Sequence, residues 1–174
     1  MDLATPREPG KATAGRASAR RPRYKTGVQF VYQSLIPAPP ARVFAFHEER
    51  GALQMLTPPW APVRIVEPPP SLLPGSQAVL RVRLLPLVWV TWVARHTRYE
   101  KDELFEDEQV RGPFRRWLHT HRFGPAPGGT LLRDEVDLEL PLGRLARPAW
   151  PLARLQLERL FAFRHEATRR ACAP

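Results

Sequence analysis

Cysteine is almost absent from this chain. The one thiol, Cys172, lies two residues from the C-terminus, which excludes an internal disulfide and fits a reducing compartment. Long apolar runs are missing too. The longest, Leu84 to Ala94, contains Pro86 and is too short to span a bilayer as a helix. Residues 1–23 contain a single strong hydrophobe, Leu3, so no apolar segment of the signal-peptide type is present. Asp2, Glu8 and the prolines argue against a transit peptide. These residues cannot bury enough surface to offset their ordering entropy and are expected to form a disordered basic tail. A single domain is expected over residues 24–174, with a cytoplasmic location. Net charge is missing from the body of the chain, where basic and acidic residues balance: the net +10 comes from its two ends, residues 1–25 and 144–174. No stripe of interleaved aromatic and basic residues accompanies either end, so nucleic acid is not an expected partner.

Proline is what the chain has in excess, 21 residues of 174, which favours short elements joined by stiff connections. Val28, Phe30, Tyr32 and Ser34 alternate with Gln29, Val31 and Gln33 and predict a first strand. The prolines after Ile36 open a short helix through Phe46 and His47, Gly51 breaks it, and Ala52–Leu56 gives a second helical turn or two. Strands then dominate: Val63–Val66, Ala78–Leu84, Leu87–Glu100 (long enough to bend or carry a bulge), Phe105–Val110, Trp117–Phe123 and Thr130–Leu140. A turn is expected over Gly124–Gly129. A final helix is expected from Pro151 to Arg170, with Leu157, Leu160, Phe163 and Ala167 on its apolar side. Arg164 falls on that side too, whereas His165 falls on the back.

The most informative stretch is Phe105–Phe123, two strands joined by a turn at Arg111-Gly112-Pro113. Side chains alternate faces along a strand, so Phe105, Asp107 and Gln109 share a face on the first, with Glu106 and Glu108 opposite. Trp117, His119, His121 and Phe123 share a face on the second. The aromatics choose the inner face and take Asp107, Gln109, His119 and His121 with them; in the following strand Asp134 turns inward among Leu132, Val136 and Leu138. Buried polar groups need partners, so these residues satisfy one another or line a cavity that something occupies. His96, in phase with Trp92 and Ala94, joins them. The pattern is an α+β chain: a strongly bent antiparallel sheet of about seven strands around a long C-terminal helix, with two short helices after the first strand.

At this point the chain resembles a known family. Ile36-Pro-Ala-Pro with Val43-Phe-Ala-Phe-His47, Gly51-Ala-Leu53, Leu56-Thr-Pro-Pro-Trp60 and Trp92-Val-Ala-Arg-His96 carry the resemblance. Phe105-Glu-Asp-Glu-Gln109, Gly112-Pro-Phe114, Trp117-Leu-His-Thr-His121, Pro141-Leu-Gly143 and Phe163-Arg-His165 complete it. The chain is similar to the SRPBCC (START-like, helix-grip) superfamily, and within it to the cyclase/dehydrase domains found alone or fused to NAD-dependent epimerase-like proteins. The resemblance implies a cavity for a hydrophobic or amphipathic small molecule and raises an epimerase-like protein as a partner. This chain has no dinucleotide-binding half, so no NAD or other cofactor is expected.

Ligand contacts are therefore expected from His96, Phe105, Asp107, Gln109, Trp117, His119, His121, Phe123, Asp134 and Arg164. A lipid or polyketide-like metabolite would be oriented by the polar members and packed by the aromatic ones. A competing reading makes the domain a cofactor-free cyclase or dehydratase, with His119 or His121 as general base and Asp107 or Asp134 as its orienting carboxylate. A third makes it an interaction module docking through its basic ends. Two imidazoles and a carboxylate can also hold a metal. A His-x-His pair on a strand arises equally from hydrogen bonding to cross-strand acids, and no Glu-x-x-His or cysteine set supports a metal, so none is assigned. Ser34 has no Gly-x-Ser-x-Gly context and is not expected to be a nucleophile.

Overall fold

Period-two alternation of apolar residues decides the sheet, and the computed structural model, which describes residues 27–173, shows how it closes. The expected basic tail lies outside the described residues. Seven strands, β1 (Val28–Ile36), β2 (Val63–Glu67), β3 (Gln77–Leu85), β4 (Val88–Glu100), β5 (Leu104–Arg111), β6 (Arg116–Ala126) and β7 (Gly129–Glu139), form one antiparallel sheet. Their order is β1-β7-β6-β5-β4-β3-β2. Two short helices, α1 (Pro40–Glu48) and α2 (Ala52–Met55), follow β1, and a long one, α3 (Trp150–Cys172), closes the described chain. This is the helix-grip α+β architecture.

The connections follow from residue chemistry. Pro40 opens α1 at a position whose amide would lack an intrahelical partner anyway. Register shifts between Val93 and Ala94 and between His96 and Arg98 bend β4 where the long strand had to curve. The expected turn over Gly124–Gly129 is tighter than the sequence indicates. Pairing continues to Ala126 opposite Gly129, leaving Pro127 and Gly128 as the connection. Gly129 is held there at φ +150°, and a Cβ on it would sit 2.1 Å from the carbonyl oxygen of Ile36. Gly129→Ala is therefore expected to destabilise the fold by about 1–3 kcal/mol, read by urea unfolding. A variant as stable as the wild type would mean that the β1–α1 corner can move aside.

Burial forms two apolar clusters on the inner face. Ile36, Val43, Phe44, Phe46, Phe105 and Phe123 meet beneath α1. Phe30, Trp117, Val136, Leu138, Leu157 and Phe161 meet beneath α3. The inward stripe of α3 is Leu157, Phe161, His165, Thr168 and Cys172, a rotation of the apolar face that the sequence indicates. His165 is thus buried and not on the back of the helix. The outer face is also partly buried: Glu106 and Thr120 are covered there, Glu106 accepting hydrogen bonds from Thr97 Oγ1 at 2.8 Å and Thr120 Oγ1 at 2.9 Å.

Candidate functional site

Between the two clusters lies a cavity of about 360 Å³. Leu80 and Val82 from β3, Trp92 and Ala94 from β4, and Leu157 and Leu160 from α3 make its apolar walls. Its polar wall is built by strand register. His119 pairs directly with Asp107 across β5 and β6, His121 with Asp134 across β6 and β7, and His96 with Asp107 across β4 and β5. Alternation then points all five side chains the same way.

Asp134 is the hub. It is 2% exposed and three imidazoles converge on its carboxylate. His119 Nε2 donates to Oδ1 at 2.8 Å and His165 Nε2 to Oδ2 at 2.5 Å, while His121 Nδ1 lies 2.7 Å from Oδ1 as a charge contact. Ser34 Oγ hydrogen-bonds the remaining nitrogen of His165 at 2.7 Å, so the serine holds that ring in place. Asp107 stands across the two strand histidines, its Oδ1 3.6 Å from His119 Nδ1 and 3.8 Å from His121 Nε2. Phe105 stacks on the His121 ring at 4.0 Å between centroids, and the His119 and His121 rings lie 3.8 Å apart.

Burial raises the cost of every charge here, and the neighbours decide which survive. Burial pushes the Asp134 carboxyl up, but His121 and the bonds from the three imidazoles reverse this and hold it well below the usual range. Asp107 is likewise lowered: burial opposes ionisation and the nearby His121 and His119 outweigh it. Burial pulls His119 down and the adjacent His121 adds to this. His121 goes the other way, since Asp134 and Asp107 overcome its burial. His47, donating from Nδ1 to Val43 O at 2.8 Å, is lowered to about 3 by burial and then by His121. His121, whose protonated form the two carboxylates favour, and the half-buried guanidinium of Arg164 thus face Asp107 and Asp134.

The structure brings eight of the ten expected contact residues to the cavity: His96, Phe105, Asp107, Trp117, His119, His121, Asp134 and Arg164. The other two lie elsewhere. Gln109 is spent on the β5–β6 turn, its Nε2 donating to Phe114 O at 2.7 Å, because the strand ends two residues later and the turn needs a cap. Phe123 packs into the cluster beneath α1, 5.1 Å from Phe44 between ring centroids. His165, expected on the back of its helix, and His47, at the end of α1, line the cavity as well.

A bent antiparallel sheet gripping one long helix around an apolar cavity with a polar wall defines the class, a helix-grip domain. The chain belongs to the family described as polyketide cyclase / dehydrase and lipid transport, whose family model matches residues 36–161. It is similar to a nucleoside-diphosphate sugar epimerase from Corynebacterium glutamicum, with 27% identity and a TM-score of 0.64 over 81% of this chain. This chain spans only 28% of that protein. It also resembles a protein from Thermus thermophilus, with 17% identity, a TM-score of 0.63 and coverage of 84% of this chain and 100% of the other. A Chromobacterium violaceum protein is similar at 12% identity and a TM-score of 0.64, over 84% of this chain and 97% of its own. These last two likenesses speak to the fold alone. No curated protein matches the chain. Among the described residues, no helix is long and apolar enough to cross a membrane.

Proposed function

We propose that the domain binds a hydrophobic or amphipathic small molecule in the cavity, its apolar body against Leu80, Val82, Trp92 and Leu157 and its polar group against Asp107, His119 and His121. One observation carries this reading: an apolar cavity of about 360 Å³ ends in a wall of buried histidine and aspartate. Pockets for small ligands combine these features, mostly apolar lining with a few convergent polar groups that fix orientation. The family's description, cyclase, dehydrase and lipid transport, supports the same class of ligand.

The test is occlusion. Ala94 lines the cavity, so Ala94→Trp places an indole in the space a ligand would take. Binding of the fluorescent probe 1-anilinonaphthalene-8-sulfonate is expected to weaken at least about tenfold, with the melting temperature held within a few degrees. Equal affinity in wild type and variant would place the probe outside the cavity and sink the reading.

A second reading rests on His119. Its Nε2–H is donated to Asp134 and burial disfavours the protonated ring, so Nδ1 presents a lone pair toward Asp107 inside the cavity. That is the arrangement a general base needs for proton abstraction in a cyclisation or dehydration. For a binder, His119→Gln weakens affinity; for a general base it removes nearly all turnover.

A further inference from the structure

The ring nitrogens left over by Asp134 point to a ligand smaller than the cavity. We propose that Asp107, His119 and His121 form a binding site for one divalent transition-metal ion, with Asp134 as the carboxylate that orients both imidazoles.

Asp134 Oδ1 takes the N–H of His119 through Nε2 and lies 2.7 Å from Nδ1 of His121. One carboxylate oxygen thereby engages one nitrogen of each ring and leaves the other for an ion: Nδ1 on His119, Nε2 on His121. Both face Asp107 Oδ1, at 3.6 and 3.8 Å. Those separations are too long for N–H···O hydrogen bonds, which cluster near 2.9–3.0 Å. They lie a few tenths of an ångström above the ~3.4 Å edge expected between two ligands each about 2.1 Å from one tetrahedral ion. All three ligand atoms sit within 4.8 Å of one another. Any proton on His121 Nε2 leaves when the ion binds, since metal-ligating imidazoles are neutral. A carboxylate behind the histidines is also what metal sites use, since an imidazole that donates its other N–H to an acid is held in the right tautomer and made more basic.

The supports are rigid. Asp107, His119 and Asp134 come from three adjacent strands, and Phe105 stacks on His121. His96, directly across from Asp107, adds a buried Nδ1 with no hydrogen-bond partner among the described residues. Two imidazoles and one carboxylate without a thiolate suit Zn²⁺ or Fe²⁺. Three protein ligands leave at least one coordination position open, and it faces the cavity. A cavity ligand with a carbonyl, enolate or carboxylate oxygen at its polar end could fill that position. This last step rests on the cavity-binding reading; the metal site itself does not. An ion here would also occupy the lone pair that the general-base reading of His119 needs, so the two roles of that ring exclude each other.

The probe is Zn²⁺ alone, titrated calorimetrically into full-length protein stripped with EDTA, with no organic ligand present. One ion per chain with micromolar or tighter affinity is expected, weakened at least about tenfold in Asp107→Asn and in His121→Gln. Co²⁺ in its place is expected to give the visible absorption of a low-coordinate site. Should either variant fail to fold, ¹⁵N spectra of the wild-type histidine rings decide: Zn²⁺ must shift His119 Nδ1 and His121 Nε2. No uptake by folded wild type, unchanged affinity in both folded variants, or shifts confined to other histidines would each overturn the proposal. Because no cavity ligand is used, these outcomes are independent of the Ala94→Trp experiment.

Discussion

Asp134→Asn is expected to lower the unfolding free energy by about 3–5 kcal/mol, the range for breaking a buried charge network by removing one member. For a domain of this size that corresponds to a fall in melting temperature of roughly 10 °C. The substitution keeps volume and shape, so the loss is electrostatic. Two N–H donors, from His119 and His165, and the His121 ring 2.7 Å away converge on a carboxylate that only accepts. An amide replaces one oxygen with a donor, which must face one of those imidazoles, and His121 loses the charge that most favours its protonated form. Glu135→Gln is the control. It removes a carboxylate from the opposite face of the same strand, whose partner Arg133 is a third exposed, and surface pairs of that kind contribute about 0–1 kcal/mol. Differential scanning calorimetry of the two variants makes the comparison. An Asp134→Asn protein within about 1 kcal/mol of wild type would show that the three imidazoles find other partners.

The second large effect is a loss of stability in acid that originates at His47. Its folded pKa is lowered to about 3 from the ordinary 6.5. Between those values the unfolded chain binds a proton that the folded chain refuses, so stability rises with pH across the interval and falls on acidification. By pH 4 the loss reaches roughly 3 kcal/mol. His119, also lowered by burial, contributes in the same direction. His121 has the opposite sign: its folded pKa is raised, so its contribution is complete below about 6.5 and is lost as pH rises through the folded value. Urea unfolding of wild type and His47→Phe from pH 4 to 8 separates them. The variant's acid limb should be clearly shallower, though not flat, because His119 remains. Parallel limbs would show that His47 is protonated in the fold at little cost.

Much of this site was legible because a strand has a strict two-residue period. Once Trp117 and Phe123 are inward, His119 and His121 must be, and the same rule places Asp107 beside Phe105 and Asp134 between Leu132 and Val136. What alternation does not carry is position along the strand. Gln109 is inward by phase but stands at the strand's end, where the turn claims it. The helix was harder to read. A hydrophobic wheel weights Leu160 and Phe163, whereas the stripe that faces the sheet contains His165 and Thr168, polar residues buried because Asp134 and the backbone receive their hydrogens. A polar residue inside a core has no signal of its own; its partner lies on another element. Ser34 was set aside for lacking a nucleophile's surroundings, and its contact with His165 spans 131 residues of sequence.

That span bears on how the protein is made. β1 leaves the ribosome before the other strands of the sheet, yet its sheet partner is β7, the last of them, Val28 lying opposite Leu138. Strands β2 to β6 can pair with their neighbours as they emerge, but β1 must wait for almost the whole chain, and Asp134 must wait longer still for His165. Until then the nascent sheet offers an unpaired edge and an uncovered apolar face, the features that invite wrong association. Long-range closure of this kind makes folding slow relative to helical domains of similar size. The cavity is therefore complete only once α3 has docked, and until then its walls are open to contact with other proteins.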